Sequence, residues 1–417
     1  MKPKQHEADK SADQYLSIEH ALSHRTRAFQ LALIVVCAVL AASLGLCLCF
    51  GEHEAFSPEE NRVLTTAPTL STNTLLDGSW SRALSDFCAD QFPFRSTFVA
   101  AKAASELALG KQQNNDVLLG KNGYLIARLE YTDEQREHLE SNLRAVRLFS
   151  ERLAARDIPF TFAIVPRSID VNAAQLPPLY DASRAYAVWP WLNESCEREA
   201  LPMIDLREPL RAAADRSESV WYKTDHHWST LGAYYAYAAL GEALSYEPYP
   251  ITDFEMQVAC ENFYGTTYAS SGMHWTDGEP LALMRFEGDE RYVTDIIRAD
   301  GTRTLQGLYD FAALDTHDEY NIFLGGTNAH IRVSDPSRPD LPTLVLLKDS
   351  FSQSLAPYLA RHFHLVLIDP RTFMASPDSS LFATVCDYGP DHVLLLCGIA
   401  TLCEPSSQRN LIIGLDR

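Results

Sequence analysis

Thr343-Leu344-Val345-Leu346-Leu347-Lys348-Asp349-Ser350-Phe351-Ser352 reads as a buried strand, a sharp turn carrying a serine, and the start of a helix. Leu344 to Leu347 are apolar without alternation, so both faces of the strand must be covered, as in a parallel sheet. The same pattern recurs at Phe160 to Val165, His364 to Ile368 and His392 to Leu396, with a shorter run at Met203 to Leu206. Helix-periodic segments from about Thr132 to Arg156, Phe351 to His362 and Ser380 to Val385 lie between them. Strand–helix alternation of this kind predicts an α/β fold with a mostly parallel sheet.

Upstream, Thr224-Asp225-His226-His227-Trp228-Ser229 packs a carboxylate, two imidazoles and an indole into consecutive positions. An apolar helix is expected from about Ser229 to Tyr246, with Ser229 or Thr230 as its N-cap. The cluster therefore sits on a loop entering a helix, where functional groups are often held. A serine hydroxyl is a weak nucleophile until a base takes its proton, and the base needs an acceptor to hold its tautomer. Asp225 and His227 supply both, and Ser350 lies past the end of a strand, where open α/β sheets bind ligands. Free N–H groups at the helix start suit an oxyanion, and Gly325, Gly326 and Asn328 add donors. The plainer readings stay open: a structural Asp-x-His pair, Ser350 as a helix cap, His226 as an exposed residue. Trp228 reads as core or pocket wall, Asp349 as a helix cap and Lys348 as a salt-bridge partner.

A formal net charge of −20 over 417 residues argues against nucleic acid and against an anionic-lipid surface. Ala28 to Phe50 is nearly uncharged, and its last twenty residues would span roughly 30 Å as a helix. Arg25 and Arg27 precede it; Glu52, Glu54, Glu59 and Glu60 follow. The positive-inside rule then leaves residues 1–27 as a cytoplasmic tail, 28–50 as a single-pass signal-anchor, and the rest outside. A cleaved signal peptide is the alternative, although the tail and apolar run are long for one. Of nine cysteines, none forms a Cys-x-x-Cys pair, so no zinc site is expected. An exported domain would form one or more disulfides, while Cys397, in an apolar run, reads as core.

Residues 51–110 read as a connector and helical segment, with helices near Asp77 to Phe87 and up to Leu109. Residues 111–417 read as the α/β domain. Val117 to Ile126 is a hairpin around Asn122-Gly123, and 250–335 reads as an irregular insertion.

At these residues the chain resembles the DHHW family of exported bacterial proteins, which is similar to the alginate acetyltransferase J and X group. Asp225-His226-His227-Trp228 matches the naming motif. Glu60-Asn61-Arg62-Val63-Leu64, Asp90-Gln91-Phe92-Pro93-Phe94-Arg95, Leu119 to Leu125, Phe263-Tyr264-Gly265-Thr266, Phe323-Leu324-Gly325-Gly326, Lys348-Asp349-Ser350-Phe351 and Asp369-Pro370-Arg371 extend the match. The resemblance implies an SGNH-hydrolase-like three-layer sandwich with circularly permuted motif order, because the Asp-x-His pair precedes the serine. It implies Ser350 as nucleophile, His227 as base and Asp225 as the orienting acid. Gly326, Asn328, Arg167 and Trp228 are the implied oxyanion or substrate-binding groups. Pro166-Arg167-Ser168 and Gly325-Gly326-Thr327-Asn328 depart from the family's Pro-Thr-Lys and Gly-Gly-Asn.

The expected function is that of a membrane-anchored serine O-acetyltransferase or acetylesterase acting on a cell-envelope or secreted polysaccharide. A membrane-bound O-acyltransferase would donate the acetyl group, and neither cofactor nor metal is expected. The alternative is a non-catalytic polysaccharide-binding or assembly protein. A metal phosphoesterase is a weaker third reading, since Asp225 does not follow an apolar strand. Trp189, Trp191 and Trp275 are available for sugar stacking or for core.

Overall fold

The computed structural model describes residues 27, 29–43, 45–46, 48, 50–298, 300–374 and 380–414. Apart from Arg27, the expected cytoplasmic tail lies outside the described residues. The expected signal-anchor is helical at its described positions, which are exposed except at Leu48. Among the described residues no helix is long and apolar enough to cross a membrane. The chain divides into two compact units, Met1–Ser57 with Arg62–Phe98, and Pro58–Asn61 with Val99–Arg417.

The first unit pairs two short strands, β1 (Phe56–Ser57) and β2 (Arg62–Val63), in antiparallel fashion. Helices α1 (Thr72–Leu76) and α2 (Ser79–Asp90) follow, and α3 begins at Arg95. The helix expected near 77–87 is α2, which starts at Ser79 because Gly78 at φ 74° separates it from α1. The Asp90 carboxylate closes the unit: it accepts from Arg62 Nη1 at 3.0 Å and from Thr65 N–H and Oγ at 2.8 Å.

The second unit starts with the rest of α3 (Arg95–Ala108) and a three-stranded sheet, β3 (Gln113–Asn114), β4 (Val117–Leu119) and β5 (Leu125–Ala127). The Asn-Gly turn falls where expected, with Asn122 at φ 55° and Gly123 at 79°. Helix α4 (Asp133–Ala154) is started by a capping box of Thr132 and Gln135. Then come β6 (Phe160–Val165), α5 (Val188–Arg198), β7 (Ile204–Asp205), α6 (Arg207–Asp215) and α7 (Thr230–Leu240). Ser229 is the α7 cap, its hydroxyl accepting from Gly232 N–H. A long hairpin, β8 (Glu255–Phe263) with β9 (Glu279–Arg285), precedes β10 (Val293–Arg298), β11 (Gly301–Gln306) and β12 (His330–Ser334). The sheet is completed by β13 (Thr343–Lys348), β14 (His364–Ile368) and β15 (His392–Gly398), with α8 (Ser352–Leu359) and α9 (Leu381–Asp387) between them.

The central sheet has eight strands in the order β11-β10-β12-β14-β13-β15-β6-β7. From β14 to β7 every pairing is parallel; β12, β10 and β11 add an antiparallel edge. The sheet is therefore mixed, with four of its seven pairings parallel and three antiparallel. The region 250–335 is not merely an insertion, since it supplies that edge. The burial of β10 and β12 alternates, and β12 also alternates in sequence as His330-Ile331-Arg332-Val333-Ser334; an antiparallel edge with a wet face needs no continuous apolar run.

The central strands are apolar on both faces for a visible reason. Leu344, Leu346, Leu365, Leu367, Leu394 and Leu396 pack into one core with α7 and α8. Val345, Leu347, Val366, Ile368, Val393 and Leu395 pack into the other with α4, α5 and α9. Period-2 alternation thus divides each run between two cores, and the result is a helix–sheet–helix sandwich. Burying each leucine contributes about 1.5–3 kcal/mol. No disulfide forms among the described residues: Cys88, Cys196, Cys260, Cys386, Cys397 and Cys403 are free thiols, and Cys397 is core. The expectation of a disulfide is thus not met, because the sandwich provides two cores without one.

Candidate active site

Parallel strands β6, β13, β14 and β15 all end on one side of the sheet, and their carboxyl ends place Arg167, Ser350, Arg371 and Gly398 around one cavity. The cavity measures about 270 Å³. Its apolar wall is Leu125, Ala127, Leu129, Pro166, Ile399 and Ala400; Asp225, Arg167, Arg371 and Glu404 supply charge, and His226 lines the rim.

Ser350 is fixed by the residue before it. Asp349 is buried, and its Oδ1 accepts from Phe351 N–H at 3.1 Å. Its Oδ2 accepts from Gly398 N–H at 2.7 Å and the Thr401 hydroxyl at 2.9 Å. The serine turn is thereby pinned to the end of β15. Lys348 does not close the expected ion pair. Its Nζ is buried without a hydrogen-bond partner among the described residues, and burial lowers its basicity against the opposing pull of Asp369 and Asp349.

The Asp-His-His loop is closed at its base by the antiparallel bridge of Trp221 with Trp228. Ser229 N–H donates to Val220 O at 3.0 Å, and Trp221 Nε1 to His226 O at 3.1 Å. Thr224 is anchored by Glu279, which accepts from its N–H at 2.7 Å. This frame brings His227 Nε2 to 2.7 Å from Ser350 Oγ, and His227 Nδ1 to 2.5 Å from Asp225 Oδ1. The carboxylate accepts a hydrogen bond from Nδ1–H, so Nε2 is left as the acceptor facing the serine. The three residues singled out in the sequence therefore meet in one hydrogen-bonded chain.

Asp225 is buried, which by itself would raise its carboxyl. The charges of His227 and His226, with hydrogen bonds from His227 and Thr266 N–H, outweigh this and hold it well below the usual carboxylate range. The Thr266 hydroxyl also donates to Asp225 Oδ2, at 3.0 Å. His226 stands at the cavity rim with 44 % of its side chain exposed, and its Nδ1 lies 2.6 Å from Thr266 Oγ. His226 lines the cavity, and desolvation there, with His227 and Arg371 nearby, lowers its pKa to about 4.

Two supporting residues escaped the sequence reading. The Tyr320 ring stacks on His227, with centroids 4.1 Å apart and planes 4° from parallel, and its hydroxyl meets Ser354 Oγ at 3.0 Å. Thr266 braces the carboxylate; it lies in a quoted motif but had no assigned role. Tyr320 follows no motif, and only the folded chain brings it to the histidine.

The four accessory candidates fare differently. Arg167 lines the cavity, but its guanidinium is held by Asp170 at 2.7 and 2.8 Å and by the carbonyl of Ala185. Gly326 and Asn328 are not on the cavity wall. The Asn328 amide donates to Gly325 O and Gly326 O, and Gly326 N–H donates to Phe323 O. Their donors are used up in a turn with Gly325 and Gly326 at φ 71° and 92°. Trp228 is fully buried, and its Nε1 donates to Phe351 O at 3.1 Å and Ser354 Oγ at 2.9 Å. It supports the serine turn from below. Trp228→Phe should therefore cost about 1–2 kcal/mol of stability through two lost acceptor partners, read by urea denaturation, with KM little changed. Of the other tryptophans, Trp189 is buried and donates to Asp170, while Trp275 is 45 % exposed.

Asp225, His226 and His227 have their ligand atoms within 4.8 Å, a spacing that could hold a metal. Those atoms are already engaged with one another, with Ser350 and with Thr266, so an ion would have to break the hydrogen-bonded chain.

Comparison with known proteins points the same way. Residues 117–272 match the family model of the SGNH hydrolase-like domain of acetyltransferase AlgX, and residues 205–368 that of the DHHW protein. A probable alginate O-acetylase AlgJ of Pseudomonas syringae is 25 % identical over 213 residues, 49 % of this chain and 51 % of that protein. Its namesake in Pseudomonas fluorescens is 26 % identical over 180 residues, 42 % and 46 % of the two chains. The chain thus spans about half the length of the curated relatives it matches. Among solved structures, a DHHW family protein from Eubacterium siraeum superposes with a TM-score of 0.56 at 19 % identity, covering 72 % of this chain and 96 % of that one. PatB1 of Bacillus cereus gives 0.56 at 17 % identity over 70 % and 98 %. At these identities the two structures speak for the fold.

Proposed function

We propose, from the premise that this chain is a relative of the DHHW proteins and of the alginate O-acetylase group, that it is a serine O-acetyltransferase or acetylesterase acting on a polysaccharide. The observation that carries the reading is the chain Asp225–His227–Ser350, at 2.5 and 2.7 Å. Ser350 Oγ attacks the acetyl carbonyl carbon while its proton passes to His227 Nε2. The tetrahedral adduct collapses to acetyl-Ser350, and the leaving oxygen takes the proton back from His227. An incoming hydroxyl then gives its proton to His227 and attacks the ester, and Ser350 Oγ leaves with that proton from His227. A sugar hydroxyl makes the reaction a transfer; water makes it hydrolysis. Asp225 holds the imidazole tautomer and stabilises the imidazolium. Positive charge on the cavity wall comes from Arg167 and Arg371, each held by a carboxylate: Asp170 for Arg167, and Asp369 for Arg371 Nε and Nη2 at 3.0 and 2.8 Å.

The proposal includes single-pass membrane anchoring through 28–50, with the α/β domain extracytoplasmic, and a membrane-bound O-acyltransferase as acetyl source. The support is the apolar stretch with arginines before it and acidic residues after it. The binding-only alternative expects Ser350 far from His227, so the 2.7 Å contact counts against it. A producing strain carrying Ser350→Ala at normal protein level is expected to lose polysaccharide O-acetylation. Unchanged acetylation would refute the enzymatic reading.

A further inference from the structure

In the first unit, α2 and α3 are joined through Gln91-Phe92-Pro93-Phe94, and this knuckle holds phenylalanines in water. Phe94 is 78 % exposed, Phe98 59 % and Phe92 40 %. Phe92 and Phe98 pack edge to face with centroids 5.6 Å apart, so the rings form a small patch. Phe94 sits at φ 58°, a left-handed conformation that bulky residues avoid. An exposed ring kept in an unfavourable backbone conformation points to a contact made outside the unit.

The tether to the apolar stretch says which contact. Glu54 N–H donates to Gln91 Oε1 at 3.2 Å, and Gln91 Nε2 donates to Glu54 O at 2.9 Å. The His53 ring packs on Phe87 at 4.9 Å, and its Nε2 reaches back to Leu48 O at 3.0 Å. Residue 54 is at most roughly 14 Å of extended chain beyond Phe50, where the apolar stretch ends. The fold-back of His53 makes the path shorter. The headgroup layer is roughly 5–8 Å thick on each side of the hydrocarbon. A knuckle tied this closely to the end of a membrane anchor lies within reach of that layer.

We infer that the Phe92–Phe94–Phe98 knuckle is a lipid-contacting foot that inserts at the headgroup–acyl boundary of the membrane holding the apolar stretch. The inference rests on the membrane anchoring proposed above. Rings without a polar handle gain by leaving water for the acyl boundary. Glu52 and Glu54 on the tether disfavour anionic headgroups, so the contact is apolar rather than electrostatic.

The test uses the full chain in the membrane of the producing cell, with p-benzoylphenylalanine replacing Phe94 in one sample and Phe50 in another. After irradiation, peptides from both positions are expected to carry lipid mass. Phe98→Asp, at an exposed position, is expected to reduce the lipid adduct at 94 by about fivefold at unchanged protein level. Phe94→Gly suits the left-handed φ and should leave thermal stability equal or higher, which shows that the ring does not hold the fold. Lipid capture at 50 with protein capture, or no adduct, at 94 would overturn the foot and leave the anchor standing. Loss of the chain in a carbonate wash, with no lipid capture at either position, would overturn both.

Discussion

Asp225→Asn is expected to lower kcat about 10⁴-fold, because the amide no longer dictates the His227 tautomer. In the native loop the carboxylate accepts from His227 Nδ1 and N, from Thr266 N–H and from the Thr266 hydroxyl. An amide offers one acceptor oxygen and turns an NH₂ toward groups that are themselves donors. His227 can then carry its proton on Nε2, where it faces Ser350 and cannot accept from it. Leaving a buried donor unpaired should also cost about 1–3 kcal/mol. The sign of the pH effect follows from the depressed carboxyl. A group whose folded pKa lies below its unfolded value stabilises the fold above the unfolded pKa of about 4, and loses that contribution as pH falls toward the folded value. The stability gap between wild type and Asp225→Asn should therefore be widest above about pH 4 and narrow below it. Steady-state kinetics and urea titrations across pH read both effects.

Gly265→Ala should also be damaging, although Gly265 carries no chemistry. A Cβ there would stand 2.2 Å from Asp225 Cβ and 2.3 Å from Oδ2. The carboxylate has nowhere to yield except along its bonds to His227 and Thr266. A displacement on the order of 1 Å near the reacting groups costs roughly 100-fold in rate, and overpacking costs about 1–3 kcal/mol. The expected result is a kcat lower by about two orders of magnitude together with a reduced unfolding midpoint. Full activity would mean that Asp225 is not held by this contact.

The parts of the fold legible in the sequence are those where local pattern and tertiary role coincide. Phe160–Val165, Thr343–Lys348, His364–Ile368 and His392–Gly398 must be apolar on both faces, so each announces itself as a continuous run. The edge strands β10 and β12 bury one face only and β11 almost none, so none of them stands out as a continuous apolar run. The meeting of Asp225, His227 and Ser350 was legible because motif and strand-end placement agreed. The accessory groups were not, since hydrogen-bond donors are assigned by geometry rather than by residue type. Gly326 and Asn328 look like donors in sequence, yet their own turn consumes them. Tyr320 looks like an ordinary aromatic, yet it forms the face on which the imidazole lies.

The measurement that bears most directly on an activated serine is intact-mass spectrometry of the full chain in detergent. It would be incubated with 4-nitrophenyl acetate or an aryl sulfonyl fluoride beside Ser350→Ala and His227→Ala. The account predicts a single covalent adduct on the wild type, mapped by peptide analysis to Ser350, absent from Ser350→Ala and strongly reduced in His227→Ala. A folded wild-type protein that stays unmodified, or that is modified equally in the Ser350→Ala variant, would contradict it.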